Sequence, residues 1–187
     1  MELTEVRFAG NGGQGLILSA RILFHALSLE GNTAARSQGY EPTSRGGFCF
    51  SDVVAGDSDL DYPLATGLDF LLALDQVGIA PSQSLLKEGA MVIADERLTP
   101  EPPTRNVELY RTPLADQAIA LGNIRVANII GLALMCGLGG LCGKDSLAKA
   151  IESEMPKSFL DLNLEALEAG FAAAGELIPT CTDRHPL

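Results

Sequence analysis

The chain has 187 residues, 47% of them hydrophobic and 20% charged, with a net charge of −11. That length supports one domain burying about 70% of its unfolded surface, and the composition excludes a disordered chain. The negative charge repels nucleic acid and anionic membrane surfaces, so neither is an expected partner, and a phosphate-bearing ligand has to be held by local donors.

Taken in chain order, residues 3–9 alternate apolar and polar and predict a strand. The glycine-rich run Gly10-Asn11-Gly12-Gly13-Gln14-Gly15 follows, and residues 16–29 place Leu16, Ala20, Leu23, Ala26 and Leu27 on one helical stripe that stops at Gly31. Strand, glycine turn and helix are the opening of an α/β fold. A second strand is expected at 32–37, and a third at 48–55 after the loop Gly39 to Gly47. The short apolar runs 70–74 and 90–94 each end in an acid, Asp75 and Asp95, and read as buried strands. Between them, residues 77–88 read as partly helical, with Pro81 opening the main helix. Three prolines make 99–105 a loop, and 107–110 a last strand. Helices are expected at 114–121, 126–135, 146–154 and 164–174, with Gly137-Leu138-Gly139-Gly140 as an interruption.

The expected architecture is a three-layer α/β/α, Rossmann-like domain with a mostly parallel or mixed sheet and a helical C-terminal third. It spans 1–178, and 179–187 forms a frayed tail. No apolar run reaches the roughly 18–20 residues needed to cross a bilayer. The start Met1-Glu2-Leu3-Thr4-Glu5 lacks the basic opening of a signal peptide, so a cytoplasmic location is expected. The mean hydropathy of +0.19 has two explanations: an apolar surface that meets partner chains, or a core rich in Ala, Leu and Gly.

Chemistry-bearing residues are sparse. Cys49, Cys136, Cys142 and Cys181 form no C-x-x-C pair, so neither a zinc nor an iron–sulfur signature is present. His25 and His185 lie far apart, and neither belongs to a nucleophile–base–acid set. No catalytic residue and no metal ligand is therefore assigned.

Gly10, Gly12 and Gly15 satisfy G-x-G-x-x-G between a strand and a helix. In dinucleotide folds such a turn brings the backbone close to a phosphate at the helix N-terminus. A tight turn without any ligand satisfies the same pattern. A nicotinamide cofactor further calls for an acid about 20 residues on. Arg36 stands there instead, and the nearest acid is Glu41, just before Pro42, which disfavours an NAD(P)-dependent oxidoreductase.

Two motifs together carry a family resemblance. Gly10-Asn11-Gly12-Gly13-Gln14-Gly15-Leu16, with Ser19-Ala20-Arg21-Ile22-Leu23 after it, resembles the G-x-G-G-Q-G opening of gamma subunits of 2-oxoacid:ferredoxin oxidoreductases. Tyr40-Glu41-Pro42-Thr43-Ser44-Arg45-Gly46-Gly47 is similar to that family's tyrosine, acid and Arg-Gly-Gly loop. Softer matches are Leu74-Asp75-Gln76, Ala127-Asn128-Ile129-Ile130-Gly131 and the segment Asn163 to Gly170. One departure is that Glu41 follows Tyr40 directly, where the family often has a glycine between, and this leaves the substrate open among 2-oxoglutarate, pyruvate, ketoisovalerate and indolepyruvate.

The resemblance implies a subunit that works only in a complex. The complex decarboxylates a 2-oxoacid oxidatively and hands the acyl group to coenzyme A. Thiamine diphosphate and the iron–sulfur clusters are expected on alpha-, beta- and delta-type partner subunits, with ferredoxin reached through the complex. This chain is expected to hold no cofactor tightly and to stand on the coenzyme A side, helping to close the active site. The residues assigned to binding are Gly12, Gly13, Gln14, Gly15, Arg45 and Gly46. Asp75, Gln76 and Asn128 are read as capping or packing residues. The alternatives are a stand-alone nucleotide- or coenzyme A-binding module, or an indolepyruvate oxidoreductase beta-type subunit.

Overall fold

The computed structural model describes residues 2–41, 47–57, 60 and 64–177. Six strands form one mixed sheet in the order β2-β3-β1-β4-β5-β6. They are β1 (Thr4–Asn11), β2 (Thr33–Tyr40), β3 (Phe48–Gly56), β4 (Leu68–Ala73), β5 (Leu86–Asp95) and β6 (Val107–Thr112). The half built from β1, β4, β5 and β6 is parallel. On its other side β1 pairs antiparallel with β3, which pairs antiparallel with β2. The helices are α1 (Leu16–Leu29), α2 (Ile79–Gln83), α3 (Leu114–Ala120), α4 (Ala127–Gly139), α5 (Lys144–Glu154) and α6 (Lys157–Leu177). The α/β class, the mixed sheet and the helical C-terminal third agree with expectation.

Alternation along each strand divides the core in two. Val6, Phe8, Leu72 and Ile93 point to one face, which α1, α3, α4, α5 and α6 cover. Ala9, Leu71, Ala73 and Val92 point to the other, where Ile79 of the short α2 joins them. One outer layer is thick and the other thin.

The expected helix opening at Pro81 is corrected. Pro81 sits third in the five-residue α2, and residues from Leu86 onward belong to β5. A proline is tolerated there because the first N–H groups of a helix have no intrahelical partner. The chain beyond is taken by strand pairing with β4 and β6. β2 and α6 run longer than periodicity predicted.

The surplus of hydropathy goes largely into the core. Helix α4 buries residues on all sides, among them Ile129, Ile130, Leu132, Ala133, Leu134 and Met135. A helix apolar all round has to be wrapped, and α6 and the sheet wrap it. Gly170 of α6 sits against Ile130 O and the Ala133 Cβ. No side chain fits there, so the glycine sets how closely the two helices approach.

The thin face carries charge. Arg7 and Asp52, 6% and 2% exposed, form a two-pronged pair, with Nε to Oδ1 and Nη2 to Oδ2 both 2.8 Å. The guanidinium also lies 4.4 Å from the centre of the Phe50 ring. Nearby, buried Glu5 accepts the backbone N–H groups of Thr66 and Gly67 and so ties the approach to β4. The Arg7–Asp52 pair is cross-strand, joining β1 to β3 in register. Removing one partner of a buried pair leaves the other charge uncompensated. Arg7→Met is expected to destabilise the chain by about 3 kcal/mol, and Arg7→Met with Asp52→Leu to recover most of that loss. Urea unfolding of the three proteins checks it, and a double variant no more stable than the single one would contradict it.

Candidate functional site

The carboxyl ends of β1, β4 and β5 lie side by side, the place where open α/β sheets hold ligands. β1 ends in the glycine turn, β4 runs into Leu74-Asp75-Gln76, and β5 ends at Asp95. The turn is wired from both sides. Asn11 N–H donates to Gln14 Oε1 at 2.7 Å, and Gln14 Nε2 donates to Leu74 O at 3.0 Å. Gln14 N–H donates to Asn11 O at 3.2 Å. One side chain thus closes the turn on itself and clamps it to the neighbouring strand.

The second tie comes from α4. Asn128, 2% exposed, donates through Nδ2 to Gly15 O at 3.1 Å and to Ser19 Oγ at 3.0 Å. Gly15 is the N-cap of α1 with φ +79°, and a Cβ there would strike the Asn128 amide. Gly15 is therefore required twice over, by its left-handed backbone and by this contact.

The third tie joins the two sequence motifs. Gly12 N–H donates to Gly47 O at 3.0 Å, and Glu41 N–H donates to Phe48 O at 3.0 Å. The β2–β3 hairpin end therefore rests on the glycine turn. Arg45 and Gly46 lie outside the described residues, but both flanks of their loop, Glu41 and Gly47, border the turn.

Of the expected donors, the Gln14 amide and the Gly12 N–H are committed within the chain. What stays open is the start of α1. The N–H groups of Leu16, Ile17 and Leu18 have no intrahelical acceptor by helix geometry. No side chain caps them, and the first turn holds no acid. The positive end of the helix is therefore uncompensated within α1. Gly13, with φ +99°, has open space around the position of a Cβ. Hollows of about 110, 230, 280 and 380 Å3 all border this residue.

The carboxylates nearby are structural. Asp95, 1% exposed, accepts N–H bonds from Arg97, Leu98 and Ala115 at 3.0, 2.7 and 2.7 Å, fixing the loop after β5 and the start of α3. Asp75 accepts from Val77 N–H at 3.2 Å, the cap expected of it. Gln76 exchanges two hydrogen bonds with the backbone of Glu101. Cys49 lines two of the hollows, and burial pushes its thiol pKa up, away from a reactive thiolate.

Sequence reasoning passed over Arg125 and left the buried Asn163 without a role. Both border the 230 Å3 hollow, and Arg125 also borders the 110 Å3 one. The available signal was Asn123, whose Oδ1 accepts Arg125 N–H at 3.0 Å and so turns the chain into α4 with Arg125 at the rim.

Comparison with known proteins bears on what this arrangement serves. The profile of the pyruvate ferredoxin/flavodoxin oxidoreductase family matches residues 5–173. The chain belongs to that family. The 2-oxoglutarate synthase subunit KorC of Methanocaldococcus jannaschii is 37% identical over 179 residues, covering 92% of this chain and 95% of that one. The gamma subunit of a keto/oxoacid ferredoxin oxidoreductase from Geobacter sulfurreducens PCA is 35% identical with a TM-score of 0.82, covering 92% and 99%. A 2-oxoglutarate:ferredoxin oxidoreductase from Magnetococcus marinus, 21% identical, shares the fold at a TM-score of 0.84 with 32% of its longer chain, 95% of this one being covered. The chain is thus a gamma-type subunit of a 2-oxoacid oxidoreductase, and the stand-alone binding module is not favoured. Among the described residues, no helix is long and apolar enough to cross a membrane.

The Gln14 clamp can be weighed directly. Gln14→Ala removes both side-chain bonds and leaves Leu74 O and Asn11 N–H without these partners. A loss of about 1–3 kcal/mol is expected, read as a lowered urea midpoint. An unchanged midpoint would mean that the clamp carries no weight.

Proposed function

We propose that this chain is the cluster-free gamma subunit of a multi-subunit 2-oxoglutarate:ferredoxin oxidoreductase, inactive alone, and that its glycine-turn edge forms part of the coenzyme A side of the assembled active site. The observation that carries the reading is end-to-end kinship with separate KorC subunits, combined with an open helix N-terminus at the carboxyl edge of the sheet. Partner chains supply thiamine diphosphate, the iron–sulfur clusters and the path to ferredoxin, and the complex works in the cytoplasm. 2-Oxoglutarate is preferred because the KorC subunit of M. jannaschii aligns at 37% identity over 95% of its length, whereas a pyruvate synthase subunit PorC aligns at 28%, and ketoisovalerate oxidoreductase subunits VorA align at 28% and 30% over only 35% and 37% of theirs.

In this reading the chain's own residues position rather than react. Gln14, Asn128 and Gly47 hold the turn in one shape, so that the N–H groups at the start of α1 face an anion already oriented. The turn lies against the β2–β3 hairpin end, and Gly12, Gly13, Gln14 and Gly15 form the ligand-facing edge of this reading; Arg45 and Gly46, outside the described residues, keep the binding role that the family resemblance implies. Coenzyme A, when bound, supplies the thiol that accepts the acyl group. The apolar residues exposed around this edge, Ile124 and Phe159, suit contact with a partner chain.

Gentle anaerobic purification of the tagged chain from its host tests the assembly. Thiamine diphosphate-binding and cluster-bearing chains in fixed ratio are expected, and recovery of the chain alone would overturn the proposal. In the complex, turnover should be fastest with 2-oxoglutarate, and a preference for pyruvate or ketoisovalerate would move the substrate assignment.

Gly13→Val addresses the site itself. It adds a branched side chain where nothing crowds it but the backbone resists, by about 1–2 kcal/mol. A rise of about tenfold in the KM for coenzyme A is expected in a complex that still assembles. An unchanged KM would detach the glycine turn from coenzyme A.

A further inference from the structure

The C-terminal end of α4 holds two thiols side by side. Cys136 lies in its last turn and Cys142 just beyond the helix, and their sulfurs share a hydrogen bond at 3.7 Å. They are 2% and 7% exposed, and neither takes part in the site described above. Cys49 lies at the other end of α1, beside the glycine turn. The pair is brought together by the way α4 stops. Gly140, with φ +63°, caps the helix, donates its N–H to Cys136 O at 2.9 Å and turns the backbone. Leu141 is then buried, and Gly143 N–H donates at 2.7 Å to Oε1 of Glu30, the C-cap of α1. Cys142 is thus held between two anchored neighbours and against Cys136.

A disulfide needs sulfurs about 2.05 Å apart and Cβ atoms about 3.8 Å apart. The two sulfurs have to close by less than about 2 Å, a change that side-chain rotation and a small shift at Gly140 can supply. No atom crowds the position of a Cβ at Gly140, so the backbone has room there. We propose that Cys136 and Cys142 form a reversible redox staple, which a peroxide closes into a disulfide between the end of α4 and the start of α5 and a small dithiol reopens. Cys142, the more exposed of the two, reacts first. Its thiolate attacks the peroxide, the O–O bond breaks, one oxygen leaves as water and the other stays on sulfur as a sulfenic acid. The Cys136 sulfur then displaces that hydroxyl, the S–S bond forms and a second water leaves. Two electrons pass from the sulfurs to the peroxide, and both thiol protons end in water. The hydrogen bond with Cys142 and burial push the Cys136 thiol well above its usual range, so it keeps its proton until the sulfenic acid forms beside it. A sulfenic acid without a neighbouring thiol goes on to the irreversible sulfinic acid, and a second sulfur at 3.7 Å intercepts it. The inference is independent of the coenzyme A reading.

Trypsin cuts after Arg125 and Lys144, so both thiols fall on the single peptide 126–144. The full chain, purified reduced and without oxygen, is treated with hydrogen peroxide, alkylated and digested. Peptide 126–144 is expected to be lighter by two hydrogens and unalkylated, and dithiothreitol should restore both alkylation sites. The closed form should melt about 5 °C higher, because the closed loop constrains the unfolded chain. Cys142→Ser should abolish the rise and leave Cys136 open to alkylation. Cys136→Ala should let Cys142 run on to sulfinic acid, and if that buried change prevents folding, Cys142→Ser still decides. The inference falls if peptide 126–144 stays fully alkylated after peroxide, or if Cys142 reaches sulfinic acid in the wild-type chain. It also falls if either thiol pairs with Cys49 or Cys181 instead, or if the disulfide forms and lowers the melting temperature.

Discussion

Everything at the carboxyl edge of the sheet depends on how the turn between β1 and α1 is held. Gln14 reaches back to Asn11 N–H and across to Leu74 O. Asn128 reaches over from α4 to Gly15 O. Between them these two amides set where glycine is required. A Cβ at Gly10 would strike Gln14 Oε1, and one at Gly15 would strike the Asn128 amide. The spacing of G-x-G-x-x-G is therefore explained at its first and last positions by internal packing before any ligand is considered. The pattern by itself argues for a rigid turn, and the case for a ligand comes from the uncapped α1 and the hollows that meet at Gly13.

The fold backs this edge unequally. Five helices press on one face of the sheet, and α4, buried all round, is the post on which Asn128 stands. The close crossing at Gly170 brings α6 near enough to place Asn163 in the same cavity as Asn128. The position of a buried amide on α6 thus depends on a glycine of the same helix, and the architecture links core packing to the geometry of this hollow. The thin face relies on buried charge instead, with Arg7–Asp52 joining β1 to β3. That pair contributes specificity of strand register, since a slip of one residue would leave two charges buried apart.

Much of the fold was legible. Alternation placed β1 because its polar Glu5 and Arg7 face the thin layer while Val6 and Phe8 face the helices, although both sides are buried, and period 3.6 placed α1 because that helix has one wet and one dry side. Pro81 misled because a proline in a helix of five residues costs nothing there, and β5 was then free to begin earlier. β2 ran past its expected end because cross-strand pairing with β3 extends to Tyr40 and Cys49, which no local propensity records. At the site, the glycines could be read and Gln14 could be singled out, but its partner could not. Leu74 lies 60 residues away, and the bond is to a backbone carbonyl that carries no residue signature. Arg125 was missed for a related reason. An exposed arginine in a helix-entry turn looks like any surface charge until folding sets it beside Gly13 and opposite α6.

The net charge sharpens what the edge has to do. A chain at −11 raises the cost of approach for any polyanion, so a phosphate-bearing ligand gains nothing from the long-range field of this subunit. Attraction has to be short-ranged, which is what oriented N–H groups and a lone guanidinium provide once solvent is excluded. Both are placed at the carboxyl edge, and the apolar residues Ile124 and Phe159 are exposed around it. An apolar rim closed by a partner chain lowers the local dielectric and strengthens those few dipoles, whereas the isolated chain leaves them in water. On this argument an anion at the start of α1 is held weakly while the edge is wet and more tightly wherever a partner chain covers it.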